Sequence, residues 1–256
     1  MNLLRIELHK ILPYRTVWVI LAGYAILLTL FLYASSHVTV NGQQLGESMY
    51  RLPAFWQLLT YIASFFSLLF SILVIVLVTD EYAYRTLRQQ VIDGLSRADL
   101  VSAKLYVILG FAAAGALFLL LLGLYFGLLY SINPSMEAVF SQMDALLYYF
   151  VQTAGYMSLA MVFAFLIRKS GLAIVGFIAY SIIIEPLIQL RLPDAIDKYL
   201  PMKVMGSLTP RPIQEVLDQV TTPTELLSPG LAALVTVVYI AVFWLLSYYI
   251  LRLRDL

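Results

Sequence analysis

The 256-residue chain is 62% hydrophobic and 12% charged, carries a formal net charge of +1 and has a mean hydropathy of +0.88. That composition excludes an ordinary soluble domain and makes the lipid bilayer the expected solvent. The absence of cysteine excludes disulfides, thiolate metal sites and cysteine nucleophiles.

The chain opens on LLRIELHKIL, in which Leu4, Leu8, Ile11 and Leu12 recur at helical spacing while Arg5, His9 and Lys10 project elsewhere. This predicts an amphipathic helix along the inner membrane surface, ended by Pro13. A basic flank that only sets topology and a functional interface helix use the same physics. His9 alone indicates neither a metal nor a proton site.

Apolar runs then recur along the whole chain, most of them able to hold the ~20 residues that cross the hydrocarbon core. The expected spans are 17–34, 56–78, 105–130, 146–167, 172–190 and 231–251, so the fold class is all-α, six transmembrane helices in a single domain over 1–256. The first run is too long for the apolar region of a secretory signal and five more spans follow, which reads as a retained anchor. With six spans both termini share a side. Eleven of the 16 Lys and Arg residues fall on that side, and four of the other five lie in the long loop 191–230. The positive-inside rule therefore predicts cytoplasmic termini.

Between the second and third spans lies the densest polar stretch, TDEYAYRTLRQQVIDGLSRADLVSAK. Its charges, from Asp80 and Glu81 to Asp99 and Lys104, are expected to sit in water. Tyr84, Leu87, Val91 and Leu95 share one helical face while Arg85, Arg88, Gln89 and Asp93 cover the others, which predicts a short amphipathic helix. Gly94 supplies a C-terminal break, and Ser96 with Asp99 three residues later forms a capping-box pattern leading into the third span. A helix resting on lipid headgroups and a helix docking a partner both fit this periodicity.

The spans themselves hold little chemistry. Glu185, before Pro186 in SIIIEPLIQL, is the one intramembrane ionisable candidate, readable as a gate or substrate-facing carboxylate or as a solvated helix end where proline breaks the helix. The final loop carries Pro193, Pro201, Pro210, Pro212 and Pro223 between the apolar pieces AIDKYL and IQEVLDQV, which suggests short helices at the outer surface. Ser228 and Pro229 read as N-cap and first residue of the sixth span. Tyr14, Trp18, Trp56 and Tyr248 read as interfacial anchors. No H-E-x-x-H or G-x-S-x-G occurs, and His9 and His37 lie outside the spans, so an intramembrane enzyme has little support.

Glu81, the run Arg85-Thr86-Leu87-Arg88, then Gly94, Ser96-Arg97 and Lys104 resemble the segment between the second and third spans of ABC-2 type transporter permeases. The resemblance extends over essentially the full layout: basic amphipathic start, six spans, polar island and long outer loop. It departs at Arg85, where many members carry a small residue, Asn or Gly. What the resemblance implies is a non-catalytic permease subunit of an ATP-driven exporter in the cytoplasmic (inner) membrane, paired with a second permease chain as homo- or heterodimer. ATP and Mg would be held by a separate ABC ATPase subunit, with no cofactor on this chain and no nucleic-acid partner. The sequence agrees in having no G-x-x-x-x-G-K-[ST] phosphate loop. The implied ATPase-coupling surface comprises Glu81, Arg85, Thr86, Arg88 and Arg97 as polar contacts, Leu87 and Val91 packing into a groove, and Gly94 and Ser96 forming the turn. An ion-coupled secondary transporter, which would need Glu185, and a non-transporting membrane anchor are the competing expectations.

Overall fold

The computed structural model describes residues 3–40, 43–44, 46, 49–132, 134–210, 212 and 226–254. Because lipid cannot satisfy backbone polar groups, an apolar chain of this kind must close its hydrogen bonds within helices. Among the described residues six helices are long and apolar enough to cross a membrane. The only extended structure among them is a two-residue hairpin, β1 (Thr39–Val40) with β2 (Gln43–Gln44).

In chain order, α1 (Leu3–Ile11) is followed by the first span, α2 (Arg15–Ser36), and by the second, α3 (Phe55–Ala83). The short α4 (Thr86–Ile92) leads into the third span, α5 (Arg97–Tyr130). A five-residue α6 (Met136–Phe140) precedes the fourth span, α7 (Asp144–Ile167). The fifth span is composite: α8 (Ser170–Ala179), a π-helical turn (Tyr180–Ile184) and α9 (Glu185–Gln189). Then come α10 (Asp194–Asp197), α11 (Pro201–Gly206) and the sixth span, α12 (Pro229–Leu253).

Spans two and four form the centre of the bundle, and spans one, five and six its periphery. The end carrying both termini is here called basal and the opposite end distal. Distal packing depends on glycine. A Cβ on Gly123 of α5 would lie 2.1 Å from the Trp56 ring, and one on Gly127 would meet Leu52 at 2.9 Å. Trp56 is therefore not the interfacial anchor expected. It is fully buried, and its indole N–H donates to the Val139 carbonyl at 2.9 Å, which satisfies its polar atom inside the bundle. Trp18 does fit that role: it is exposed, and its indole donates to Leu12 O at 2.8 Å.

Several local expectations agree with the structure and some do not. Ser96 caps α5, accepting from the Asp99 amide at 3.1 Å while Asp99 accepts from the Ser96 amide, a complete capping box. Gly94 has φ +97°, the left-handed break expected after α4. Ser228 holds the N-cap position of α12 with Pro229 following, but its side chain makes no capping bond. Pro186 does not break the fifth span. The π turn just before it widens the helix and absorbs the missing N–H and the ring, so the helix continues to Gln189. Part of AIDKYL forms α10, whereas IQEVLDQV lies outside the described residues.

Candidate functional site

The basal end is organised by four charges of alternating sign. Lys104, early in α5, donates to Glu7 Oε2 of α1 and to Glu81 Oε1 of α3, both at 2.7 Å. Lys10 donates to Glu7 Oε1 at 3.0 Å and to the same Glu81 oxygen at 2.8 Å. Glu7 and Lys104 are each only 4% exposed, so neither charge is tolerable without its partners. Burial pushes the Glu7 carboxyl up, but Lys104 and Lys10 beside it more than offset this and hold it below its ordinary value of 4.5. Burial likewise pulls the Lys10 ammonium down, and Glu81 with Glu7 holds it above its ordinary 10.5. The cluster clamps α1 across the basal ends of the second and third spans.

The clamp corrects two expectations. Lys104 and Glu81 do not sit in water: they are buried ion-pair partners, and Glu81 is spent on its own chain instead of standing on a docking surface. Glu7 was not among the candidate residues. The apolar residues Leu4, Leu8 and Leu12 drew the reading to an adjacent face that is exposed, while the side α1 buries carries Glu7 and Ile11, one turn apart.

From Ala83 the chain reverses through Arg85, whose φ of 57° and ψ of 21° lie in the left-handed region. A side chain there is crowded, while Gly and Asn enter most cheaply. Thr86 Oγ1 donates back to the Glu81 carbonyl at 3.3 Å, tying the turn to α3. Within α4, Leu87 is 1% exposed and Val91 half-buried against the spans. They hold α4 down and cannot fill a partner's groove. The outward surface is instead Tyr84, Arg85, Arg88, Gln89 and Ile92. Arg97 is also committed inward, its guanidinium donating to the Arg252 carbonyl, while Arg254 donates to Leu166 O at 2.7 Å. Both bonds fasten the end of the sixth span to the basal face. Tyr14 donates its hydroxyl to Asp80, which joins the first span to the second.

Beside α4 a cleft of about 430 Å³ is lined by Glu81, Tyr82, Arg85, Leu87, Arg88 and Arg168. Arg168 follows α7, and its guanidinium lies 4.9 Å from the Tyr82 ring centroid, a cation–π contact that sets its position.

Glu185 belongs to the distal end and is fully buried, not a solvated helix end. Its Oε1 accepts from the amides of Met202 at 2.7 Å and Lys203 at 3.1 Å, and from Gln189 at 3.4 Å. The carboxylate caps α11 and pins it to the fifth span, and Lys203 in turn donates to Asp197 at 2.5 Å. Nearby, two contiguous grooves of about 330 and 210 Å³ share Ser64, Phe65 and Tyr156. Ser67, Ser71 and Ser181 line the inner one. Among the described residues no group of His, Asp and Glu could hold a metal ion.

No curated protein matches the chain. The model of a family described as "Protein of unknown function (DUF2705)" matches residues 24–256, from within the first span through the sixth. The chain is therefore a multi-pass membrane protein that belongs to the DUF2705 family.

Proposed function

We propose that this chain is the non-catalytic permease subunit of an ATP-driven exporter, coupled through α4 to a separate ABC ATPase and paired with a second permease chain. The observation that carries the reading is mechanical. The short α4 presents an outward surface, yet it is joined without slack to two spans, through the Arg85 turn to α3 and through the Gly94–Ser96 cap to α5. Lys104 bridges those same spans by way of Glu81. A push on α4 would therefore tilt spans two and three together rather than bend a loop. The distal grooves, mostly apolar and edged by the hydroxyls of Ser64, Ser67, Ser71 and Ser181, would suit an amphipathic cargo on this reading. On this reading the basal end is cytoplasmic and the membrane is the inner one. An ion-coupled carrier is less well supported, because Glu185 is engaged as a helix cap.

The test is purification of tagged chain from its native membrane in mild detergent, with mass spectrometry and an ATPase assay. A stoichiometric ATPase should co-purify and be lost with Arg88→Glu, an exposed position at which folding is not at stake. A chain that purifies alone without ATP dependence overturns the reading in favour of a secondary transporter or a membrane anchor.

A further inference from the structure

The arginine-lined cleft shares Arg85 and Arg88 with the outward surface of α4 and adds Arg168, which the coupling role does not use. It draws charge from two separate elements, Arg85 and Arg88 at the start of α4 and Arg168 after α7. Arg85 and Arg88 form no ion pair among the described residues. The adjacent four-charge cluster is internally neutral, so it does not cancel them. The acids closest in sequence, Asp80 and Asp93, form no ion pair with them among the described residues; Asp80 accepts from Tyr14, and Asp93 from Gln89 at 3.1 Å. The cleft also contains an acceptor. Glu81 is 8% exposed, and while its Oε1 takes both lysines, its Oε2 has no hydrogen-bond partner. A buried carboxylate oxygen without a donor is costly, which marks a position where a ligand's hydroxyl or amine would be stabilised.

Depth identifies the ligand. At ~1.5 Å per residue, the 29 residues of α3 extend ~43 Å, the thickness of a whole bilayer including its headgroups rather than of its hydrocarbon core. The last turn of α3, with Glu81 and Tyr82, therefore lies in the headgroup layer. The cation–π contact of Arg168 with Tyr82 holds one guanidinium at that same depth.

We propose that this cleft binds one anionic glycerophospholipid by its headgroup, the phosphate lying on Arg85, Arg88 and Arg168 and a headgroup hydroxyl donating to Glu81 Oε2. Guanidinium groups match phosphate oxygens in pairs, and basic pockets between spanning helices are suited to anionic headgroups. The site anchors the α3–α4 turn to its leaflet. It does not depend on the ATPase reading, and its test uses the chain alone.

The purified chain in neutral detergent is titrated with dihexanoyl phosphatidylglycerol or dihexanoyl phosphatidylcholine, and bound lipid is counted by native mass spectrometry. One phosphatidylglycerol should bind at least ~tenfold more tightly than phosphatidylcholine, and Arg88→Gln and Arg168→Gln should each weaken it ~tenfold. Arg191→Gln, after the fifth span at the distal end, should leave it unchanged. Arg88 is exposed, so its variant carries the test even if Arg168→Gln fails to fold. Equal affinity for the two lipids, or equal weakening by Arg191→Gln, would mean diffuse attraction and overturn the proposal. Glycerol phosphate competing as well as the lipid would assign the cleft to a soluble phosphate and overturn it too. So would an Arg88→Gln protein that keeps its full affinity for phosphatidylglycerol.

Discussion

Both ends of the bundle are fastened by buried carboxylates, but to different partners. At the basal end Glu7 and Glu81 meet two ammonium groups, Lys10 and Lys104, on separate helices. At the distal end Glu185 meets the backbone amides that open α11. Ammonium groups on long side chains join elements that are far apart in sequence and let them move as a unit. Backbone amides are fixed donors, and they hold a short helix in one orientation. The basal arrangement thus ties together helices from distant parts of the chain, and the distal one fixes a short helix on its neighbour.

This contrast can be broken residue by residue. Glu81→Ala should have the largest effect. It leaves Lys104 buried with a single partner, and losing one member of a buried ion pair costs ~3–5 kcal/mol. Thermal unfolding in detergent should fall accordingly, with amide exchange rising first in residues 3–11. Glu185→Ala should cost less, ~1.5–3 kcal/mol, because it removes charge-assisted hydrogen bonds without stranding an opposite charge. Exchange should then rise in α11 and leave α1 protected. The opposite pattern, α1 loosened by the distal variant, would show that the two ends are not independent.

Acidity separates the ends more gently. The Glu7 carboxyl is held below its ordinary 4.5, so its contribution is present above that value and is lost as pH falls through the lowered one. Lys10 is held above 10.5, so its contribution is complete below that value and is lost as pH rises through the raised one. Exchange protection of α1 should therefore be flat between about pH 5 and pH 10 and fall on both sides. A change centred near neutrality would contradict this assignment. The smallest effect is expected at the turn. Arg85→Asn should stabilise the protein by ~0.5–1 kcal/mol in thermal unfolding, since Asn tolerates the left-handed backbone better than Arg.

The residues of the polar island show how far local pattern reaches. The Ser96–Asp99 capping box and the Gly94 break are decided within a few residues, and both were legible. The inward or outward facing of α4 was not, because an amphipathic period marks one apolar face without saying whether lipid, a partner or the chain itself covers it. Leu87 and Val91 are covered by the chain's own spans. Glu81 and Lys104 read as solvated for the same reason: charge implies water only until a partner from elsewhere arrives. For Lys104 that partner is Glu7 and for Glu81 it is Lys10, both distant in sequence.

By itself the sequence determined that the protein spans a membrane as a bundle of helices, approximately where each span lies, and where the chain turns between α4 and α5. Those properties follow from the cost of exposing backbone to lipid and from local capping, and both are written in runs of neighbouring residues. Only the tertiary structure decided that Glu7, Lys10, Glu81 and Lys104 close on one another, that Trp56 fills the space beside Gly123, and that Glu185 caps a helix instead of facing solvent. Each of these depends on which helices become neighbours. That is set by packing across the bundle, and no single stretch of the chain encodes it.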